Sequence, residues 1–269
     1  MDKATEAIQW QTRIWNQMAP VYVREIDQRF LPVVGHLIAR ADLAPGQRVL
    51  DLGTGTGSVA FRAAALVAPG GRVVALDISP EMLMLARQRA AAEAATGIDF
   101  REARAEALPL DDGSVDVVLA CLSMMYVIDR TAAAREIARV LRPGGRLVAA
   151  VWAGPDRADI VLLQQTAGSF APEPPTPGVG PGALADPTAF LADLAAAGIA
   201  AGVETEITEF EFADFAAAWE VLAGVTAAAL DAERATAAKA AVRGLMWPDG
   251  DGPRRFRNET LFILGRRAR

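Results

Sequence analysis

One cysteine, Cys121, stands in a chain of 269 residues. A single thiol forms no intrachain disulfide and cannot assemble a thiolate zinc site, so neither kind of staple holds this fold. Its place at the end of an apolar strand reads as a buried thiol rather than a reactive one. Histidine is as scarce, with His36 the only one. Net positive charge is also missing: 27 basic against 33 acidic side chains leave a formal charge of -6, which disfavours DNA or RNA as a partner. The clusters Arg254-Arg255-Phe256-Arg257 and Arg266-Arg267-Ala268-Arg269 read as solvated charge at strand ends rather than as a nucleic-acid surface. No apolar run is long enough to span a bilayer. Met1-Asp2-Lys3-Ala4-Thr5-Glu6 carries acids and no apolar signal core, so the expected location is cytoplasmic.

What is present is apolar material for one large core. With 52% hydrophobic residues, residues 1–269 are expected to form a single α/β domain without a separate second one. Hydrophobic period divides it. A helical arm and cap occupies 1–44, with Ile8, Trp10, Ile14, Trp15 and Met18 at near-helical intervals over 5–19 and a second helix over Phe30 to Ala41. Strands at 48–52, 72–77, 98–101, 115–120 and 145–151 then alternate with helices at Val59 to Val67, Pro80 to Ala95 and Ala132 to Val140. This alternation across the core region 45–152 predicts a parallel, doubly wound sheet with helices on both faces. Residues 153–200 read as a breaker-rich loop through Gly168 to Gly178, followed by a helix from Pro187 to Ala197. Residues 201–269 carry strands at Val203 to Phe212 and Thr260 to Gly265, with a helical insert over Ala213 to Gly244 between them.

Chemistry concentrates where the first strand ends, in Val49-Leu50-Asp51-Leu52-Gly53-Thr54-Gly55-Thr56-Gly57 followed by Ser58. A strand running through alternate glycines into a helix lets backbone amides approach a ligand where no Cβ intervenes. A dinucleotide fingerprint would need Gly-x-Gly-x-x-Gly, but Ser58 occupies the place of its third glycine. Asp51 would also set a carboxylate beside an anionic pyrophosphate, whereas a ligand carrying an ammonium and a sulfonium meets no such repulsion. A second β-rich run, Arg72 to Ile78, ends in Asp77 about twenty residues past the turn, the spacing of a carboxylate that grips ribose hydroxyls. Asp77 could instead cap the helix that begins near Ser79-Pro80-Glu81; Ser79 and Pro80 suffice for that task, which leaves the acid free.

With Ala105-Glu106-Ala107-Leu108-Pro109, Asp116 to Leu119 and Leu141-Arg142-Pro143-Gly144-Gly145-Arg146-Leu147 in the same order, the chain resembles the class I S-adenosylmethionine-dependent methyltransferases. The likeness is to the small-molecule branch that includes the ubiquinone and menaquinone biosynthesis enzymes, and it covers roughly residues 10–210. The resemblance implies a Rossmann-like, mostly parallel seven-stranded sheet closed by an antiparallel last strand, here Leu261-Phe262-Ile263-Leu264. It implies S-adenosyl-L-methionine as cofactor. Gly53, Thr54, Gly55 and Gly57 then face the methionine part with support from Asp51, Asp77 takes the ribose, and Ile78 and Met82 pack around the adenine. Ala105 and Glu106 border that ring, although Arg104 stands where relatives often carry an aspartate. Cys121 and Leu122, with Ser123, fall near the sulfonium, and Tyr22, after Trp15-Asn16-Gln17-Met18-Ala19-Pro20-Val21, approaches the methionine end.

The implied reaction is in-line methyl displacement onto a small, fairly apolar acceptor at oxygen, carbon or nitrogen, driven mainly by proximity and exclusion of water. An obligatory catalytic residue is not required; Tyr22, Tyr126 and His36 are the candidates for a base, each with ordinary packing as its other reading. Trp152, Met125 and Tyr126 are the candidate acceptor-pocket residues. The other readings are an enzyme of this fold that binds the cofactor without transferring methyl, such as a cyclase or decarboxylase, and an NAD-dependent oxidoreductase, which the glycine spacing disfavours. Acceptor identity is open, as is a homodimer.

Overall fold

Val49, Leu50 and Leu52 are all buried, and a strand that hides successive residues has lost both of its faces to packing. The computed structural model describes residues 3–228 and 230–269. Met1 and Asp2 at the amino terminus, and position 229 of the expected insert, lie outside the described residues. Strand β1 (Arg48–Leu52) pairs in parallel with β2 (Arg72–Asp77) on one side and β4 (Val115–Cys121) on the other. Strand β3 (Ile98–Glu102) extends the sheet beyond β2, and β5 (Leu141–Trp152) lies beside β4. The order is β3-β2-β1-β4-β5-β7-β6. Strand β7 (Arg254–Arg267) runs antiparallel to both β5 and β6 (Ile199–Phe212), as expected for the last strand.

The direction of winding reverses between β1 and β4, which opens a crevice at their carboxyl ends, the place where open α/β sheets bind ligands. Helices α3 (Ser58–Val67), α4 (Pro80–Ala92) and α5 (Arg130–Val140) follow their strands within a few residues of expectation. Strand β5 starts earlier than 145, because Val115 pairs with Leu141 before the register shifts between Val115 and Val117. The Arg142-Pro143-Gly144-Gly145 turn is thus the bulge of one bent strand. Strands β6 and β7 are also longer than expected, pairing over their whole lengths from Ile199↔Arg267 to Phe212↔Arg254. At the start of β7 the added arginines are partnered: Arg255 lies 3.6 Å from Glu209 and Arg254 3.6 Å from Asp159.

Two helical departures matter. The arm is not two separated helices: α1 (Lys3–Val21) passes through a π-turn (Tyr22–Ile26) directly into α2 (Asp27–Ala41). Pro20 lacks the amide that would continue the α pattern, and the widened turn begins two residues later. Helix α6 (Asp159–Gly168) stands ahead of the breaker-rich segment, which itself is irregular up to α7 (Thr188–Ala196). Helices α8 (Phe215–Ala228) and α9 (Ala232–Met246) form the insert. Phe215 and Trp247 of that region join Phe256 and Phe212 in an aromatic cluster with ring centroids 5.1–5.9 Å apart. Among the described residues no helix is long and apolar enough to cross a membrane.

Phe256 is fully buried at the centre of this cluster, between Phe210, Phe212 and Trp247. Phe256→Ala should therefore lower stability by about 3–5 kcal/mol in urea unfolding, the range for deleting a core aromatic ring.

Candidate functional site

The turn after β1 is shaped by three glycines with left-handed backbones, φ +73° at Gly53, +55° at Gly55 and +90° at Gly57. Two of them answer to close neighbours. A Cβ on Gly53 would collide with Ser123 after β4, and one on Gly57 would come 2.7 Å from the Phe61 ring. At Gly55 a Cβ would meet nothing within 4 Å, because that residue faces open space at the crevice.

Beneath the turn, Asp51 is completely buried and accepts a hydrogen bond from the Thr54 hydroxyl at 2.6 Å. Burial pushes its carboxyl up to about 7, with the neighbouring charge of Asp77 adding to the rise and the Thr54 bond opposing it. Asp77 closes β2 and is not free: Oδ2 accepts the Gly55 N–H at 2.8 Å and Oδ1 the Ser79 N–H at 2.9 Å. Each oxygen keeps a second lone pair for a ligand donor. Ser79 is the helix cap, as expected, its Oγ accepting the Met82 N–H at 3.1 Å with Pro80 beginning the helix. Burial raises the Asp77 pKa, and the two amides work against that rise.

These pieces meet in one cavity at the crevice. Leu52, Gly53 and Gly55 enter from β1, and Asp77, Ile78 and Met82 from β2 and α4. Ala103 to Glu106 follow β3, while Cys121 to Ser123 and Tyr126 to Ile128 follow β4. The Ser123 hydroxyl donates to the Leu52 carbonyl at 2.7 Å and ties the two sides of the crevice together. Leu122 holds φ +55°, an uncommon backbone for a branched residue and one met at ligand-holding positions. The arm supplies the roof through Ile8, Gln11, Trp15 and Tyr22. It is fastened by Gln11 Nε2 donating to the Tyr126 carbonyl at 2.6 Å, by Ser79 Oγ donating to Asn16 Oδ1 at 2.7 Å, and by the edge-on Trp15–Tyr126 ring pair at 4.7 Å.

Of the residues singled out from sequence, Tyr22, Gly53, Gly55, Asp77, Ile78 and Met82 border this cavity together, as do Ala105, Glu106, Cys121, Leu122 and Tyr126. Asp51, Thr54 and Gly57 shape the turn without reaching the cavity. His36 is displaced from it: on α2 it stands 4.0 Å from Glu206 and against the edge of Phe262, so it is no base for this site. Trp152 is core, edge-on to Phe30 at 5.4 Å, and Met125 is buried with its carbonyl bonded by Arg130 and the Gly180 amide. Neither lines the cavity. Ile8, Gln11 and Trp15 were not anticipated there, although their i, i+3, i+7 spacing, continued by Tyr22, marks one helix face. Burial raises the pKa of Cys121, Tyr22 and Tyr126, so all three stay protonated near neutral pH.

Comparisons with known proteins agree with this geometry. Residues 50–149 match the methyltransferase domain family. An uncharacterised protein of Mycobacterium tuberculosis is 36% identical over 131 residues, 49% of this chain and 46% of that one. The ubiquinone/menaquinone biosynthesis C-methyltransferase UbiE of Hahella chejuensis is 39% identical over 119 residues, 44% of this chain and 48% of that one. The chain spans about half the length of these curated relatives. Among solved structures, the YcgJ protein of Bacillus subtilis superposes with a TM-score of 0.65 at 21% identity, covering 88% of this chain and 98% of that one. The matched core, residues 50–149, is thus similar to the methyltransferase domain family, and it contains the strands that frame the crevice.

Two measurements follow from this geometry. Gly53→Ala meets both a left-handed backbone and the Ser123 side chain, whereas Gly55→Ala meets the backbone penalty alone, about 1–2 kcal/mol; Gly53→Ala should be the more destabilising in chemical denaturation. Asp51 holds its proton more tightly folded than at its ordinary pKa of 3.8. Its contribution to stability is thus complete below about pH 4, is lost as pH rises towards about 7, and is level above that. Asp51→Asn should flatten the fall in unfolding free energy, from urea titrations between about pH 4 and pH 7, by on the order of 4 kcal/mol.

Proposed function

We propose that the protein transfers the methyl group of S-adenosylmethionine to a small, fairly apolar acceptor at oxygen, carbon or nitrogen. The observation that carries this reading is the Gly55 N–H to Asp77 carboxylate bond at 2.8 Å, with both residues on the wall of one cavity at the β1/β4 crevice. The charge of the lining fits the group. Asp77 and Glu106 face the cavity against Arg104, and Asp51 stands just behind the turn, a surplus of carboxylates that suits an ammonium and a sulfonium better than a pyrophosphate. On this reading Gly53 and Gly55 hold the methionine part, Asp77 accepts from the ribose hydroxyls, and Ile78 and Met82 sandwich the adenine with Ala105. Bound there, the cofactor supplies a methyl group already activated by the positive sulfur.

The chain's own residues contribute position and dryness. The arm covers the cavity with Ile8 and Trp15, and Val127 and Ile128 extend the apolar wall, which excludes water from the nucleophile. Tyr22 and Tyr126, protonated and turned to the cavity, serve as hydrogen-bond donors rather than as bases. With His36 elsewhere, the site favours acceptors that need no strong base.

Isothermal titration calorimetry with S-adenosylmethionine and S-adenosylhomocysteine tests the reading, and saturable binding of both is expected. Asp77→Asn, which points an amide at the Gly55 N–H, should weaken that binding by about tenfold or more. Absence of binding to the unaltered protein overturns the proposal. Tight binding without release of S-adenosylhomocysteine across an acceptor panel favours a non-transferring enzyme of the same fold.

A further inference from the structure

On the far side of the glycine turn from the cavity lies a second cleft, between the start of α2, the start of α3 and the outer face of α4. Asp27 borders it. Its Oδ2 accepts the Thr56 hydroxyl at 2.6 Å and its Oδ1 the Ser58 hydroxyl at 3.1 Å. Ser58 in turn accepts from Arg89 at 3.2 Å, and that guanidinium lies 4.6 Å over the Phe61 ring. Through its backbone, Asp27 reaches the other way: its N–H donates to the Tyr22 carbonyl and closes the π-turn.

One residue therefore bonds both to the arm at Tyr22, which lines the cavity, and to Thr56, which is flanked by Gly55 of the cavity lining. Thr56, 1% exposed, sits between Gly55, which faces the cavity, and Gly57, whose φ of +90° leads into α3. Tyr22 forms the arm's part of the roof. An ordinary structural duty does not account for the carboxylate. The chain is helical before Asp27, with Ile26 at φ -86° and ψ -43°, so there is no helix start for Asp27 to cap. Nor does the glycine turn need it for closure, since the Gly57 N–H already bonds the Thr54 carbonyl at 2.9 Å.

We propose that Asp27 is a positioning residue: by holding Thr56 with its side chain and Tyr22 with its backbone, it sets the separation of the arm hinge from the glycine turn and thereby the affinity for the cofactor. The inference rests on the methyltransferase reading of the cavity, but part of its test does not. Asp27→Asn and Thr56→Val are the informative substitutions. Asn keeps an acceptor for one hydroxyl and forfeits the charge, while Val removes the Thr56 donor at nearly constant shape.

Each variant should bind S-adenosylhomocysteine about fivefold to tenfold more weakly by calorimetry, and the double variant no more weakly than the worse single one, because both cut one link. Arg62→Gln, a change in the same cleft at a side chain that donates to the Leu31 carbonyl, should leave affinity unchanged. In the free protein, hydrogen exchange should quicken together at 22–26 and 53–57 in Asp27→Asn, with the remaining amides as protected as before. Wild-type affinity in Asp27→Asn, losses that multiply in the double variant, or exchange that quickens in only one segment overturns the proposal. If the unaltered protein fails to bind S-adenosylhomocysteine, the methyltransferase reading falls and the exchange measurement alone decides the role of Asp27.

Discussion

The architecture of the site depends on one carboxylate at the end of β2. Asp77 ties the glycine turn after β1 to the start of α4 by accepting one amide from each, so two loops from neighbouring parallel strands keep a fixed separation. Hydrogen bonds to an ionised acceptor are the strong kind, on the order of 1.5–3 kcal/mol each, and here they work against the cost of burying the charge. The balance is incomplete. Asp51, buried behind the same turn with one oxygen unpaired, is pushed up to about 7 by burial, with the charge of Asp77 contributing to the rise. Two carboxylates in one dry corner make a place where a cation lowers the energy and a second anion raises it. That preference arises from the turn and the strand ends, before any acceptor is considered.

Topology decides where this charge is useful. Because β2 and β3 lie on one side of β1 and β4 and β5 on the other, the loops after β1 and β4 diverge and leave a crevice between them. The crevice is narrow enough that Gly53 has no room for a Cβ beside Ser123, and the Ser123–Leu52 hydrogen bond holds it at that width. Leu122 turns through a positive φ to present the loop end. The arm then covers the top, crossing from Asn16 at the β2 side to Gln11 and Trp15 at the β4 side. The π-turn below Pro20 lets the arm continue into α2 without a loop, so the roof and a core helix are one piece of chain.

How much of this was legible follows the range of the interactions involved. The central strands announce themselves as unbroken apolar runs, since a strand buried on both faces has no polar face to alternate with. The places of Gly53, Gly55 and Asp77 at the crevice could be read because each is set within a strand and its following turn. The β6–β7 pair is longer than the sequence suggests, because Arg254 and Arg255 look like loop residues until their salt bridges to Asp159 and Glu209 are seen, and Ile199 to Gly202 are too few and mostly too small to mark a strand start. Helix α6 was hidden beside a glycine- and proline-rich segment, although Ile160, Val161, Leu163 and Ala167 give it a buried face. Trp152 and His36 were misplaced for a related reason: nothing local distinguishes an aromatic that packs on Phe30 or Phe262 from one that faces a ligand. Trp15 carried the better signal, since it shares a helix face with Ile8, Gln11 and Tyr22.

On the proposed reading, a site that holds an activated methyl group must also keep its own nucleophiles from taking it. Cys121, the one thiol, borders the cavity at the end of β4, and Tyr22 and Tyr126 border it from the arm and from the loop after β4. In water a thiolate is the most nucleophilic of these groups, and a thiol near its ordinary pKa has an appreciable ionised fraction at neutral pH. Burial among apolar neighbours raises Cys121 well above that value, and the nearby charge of Asp51 pushes in the same direction. The same surplus of negative charge that suits a cationic ligand therefore suppresses the thiolate beside it. On the proposed reading, one electrostatic arrangement both attracts the cofactor and protects it from the protein, and the choice of acceptor is left to shape and dryness under the arm.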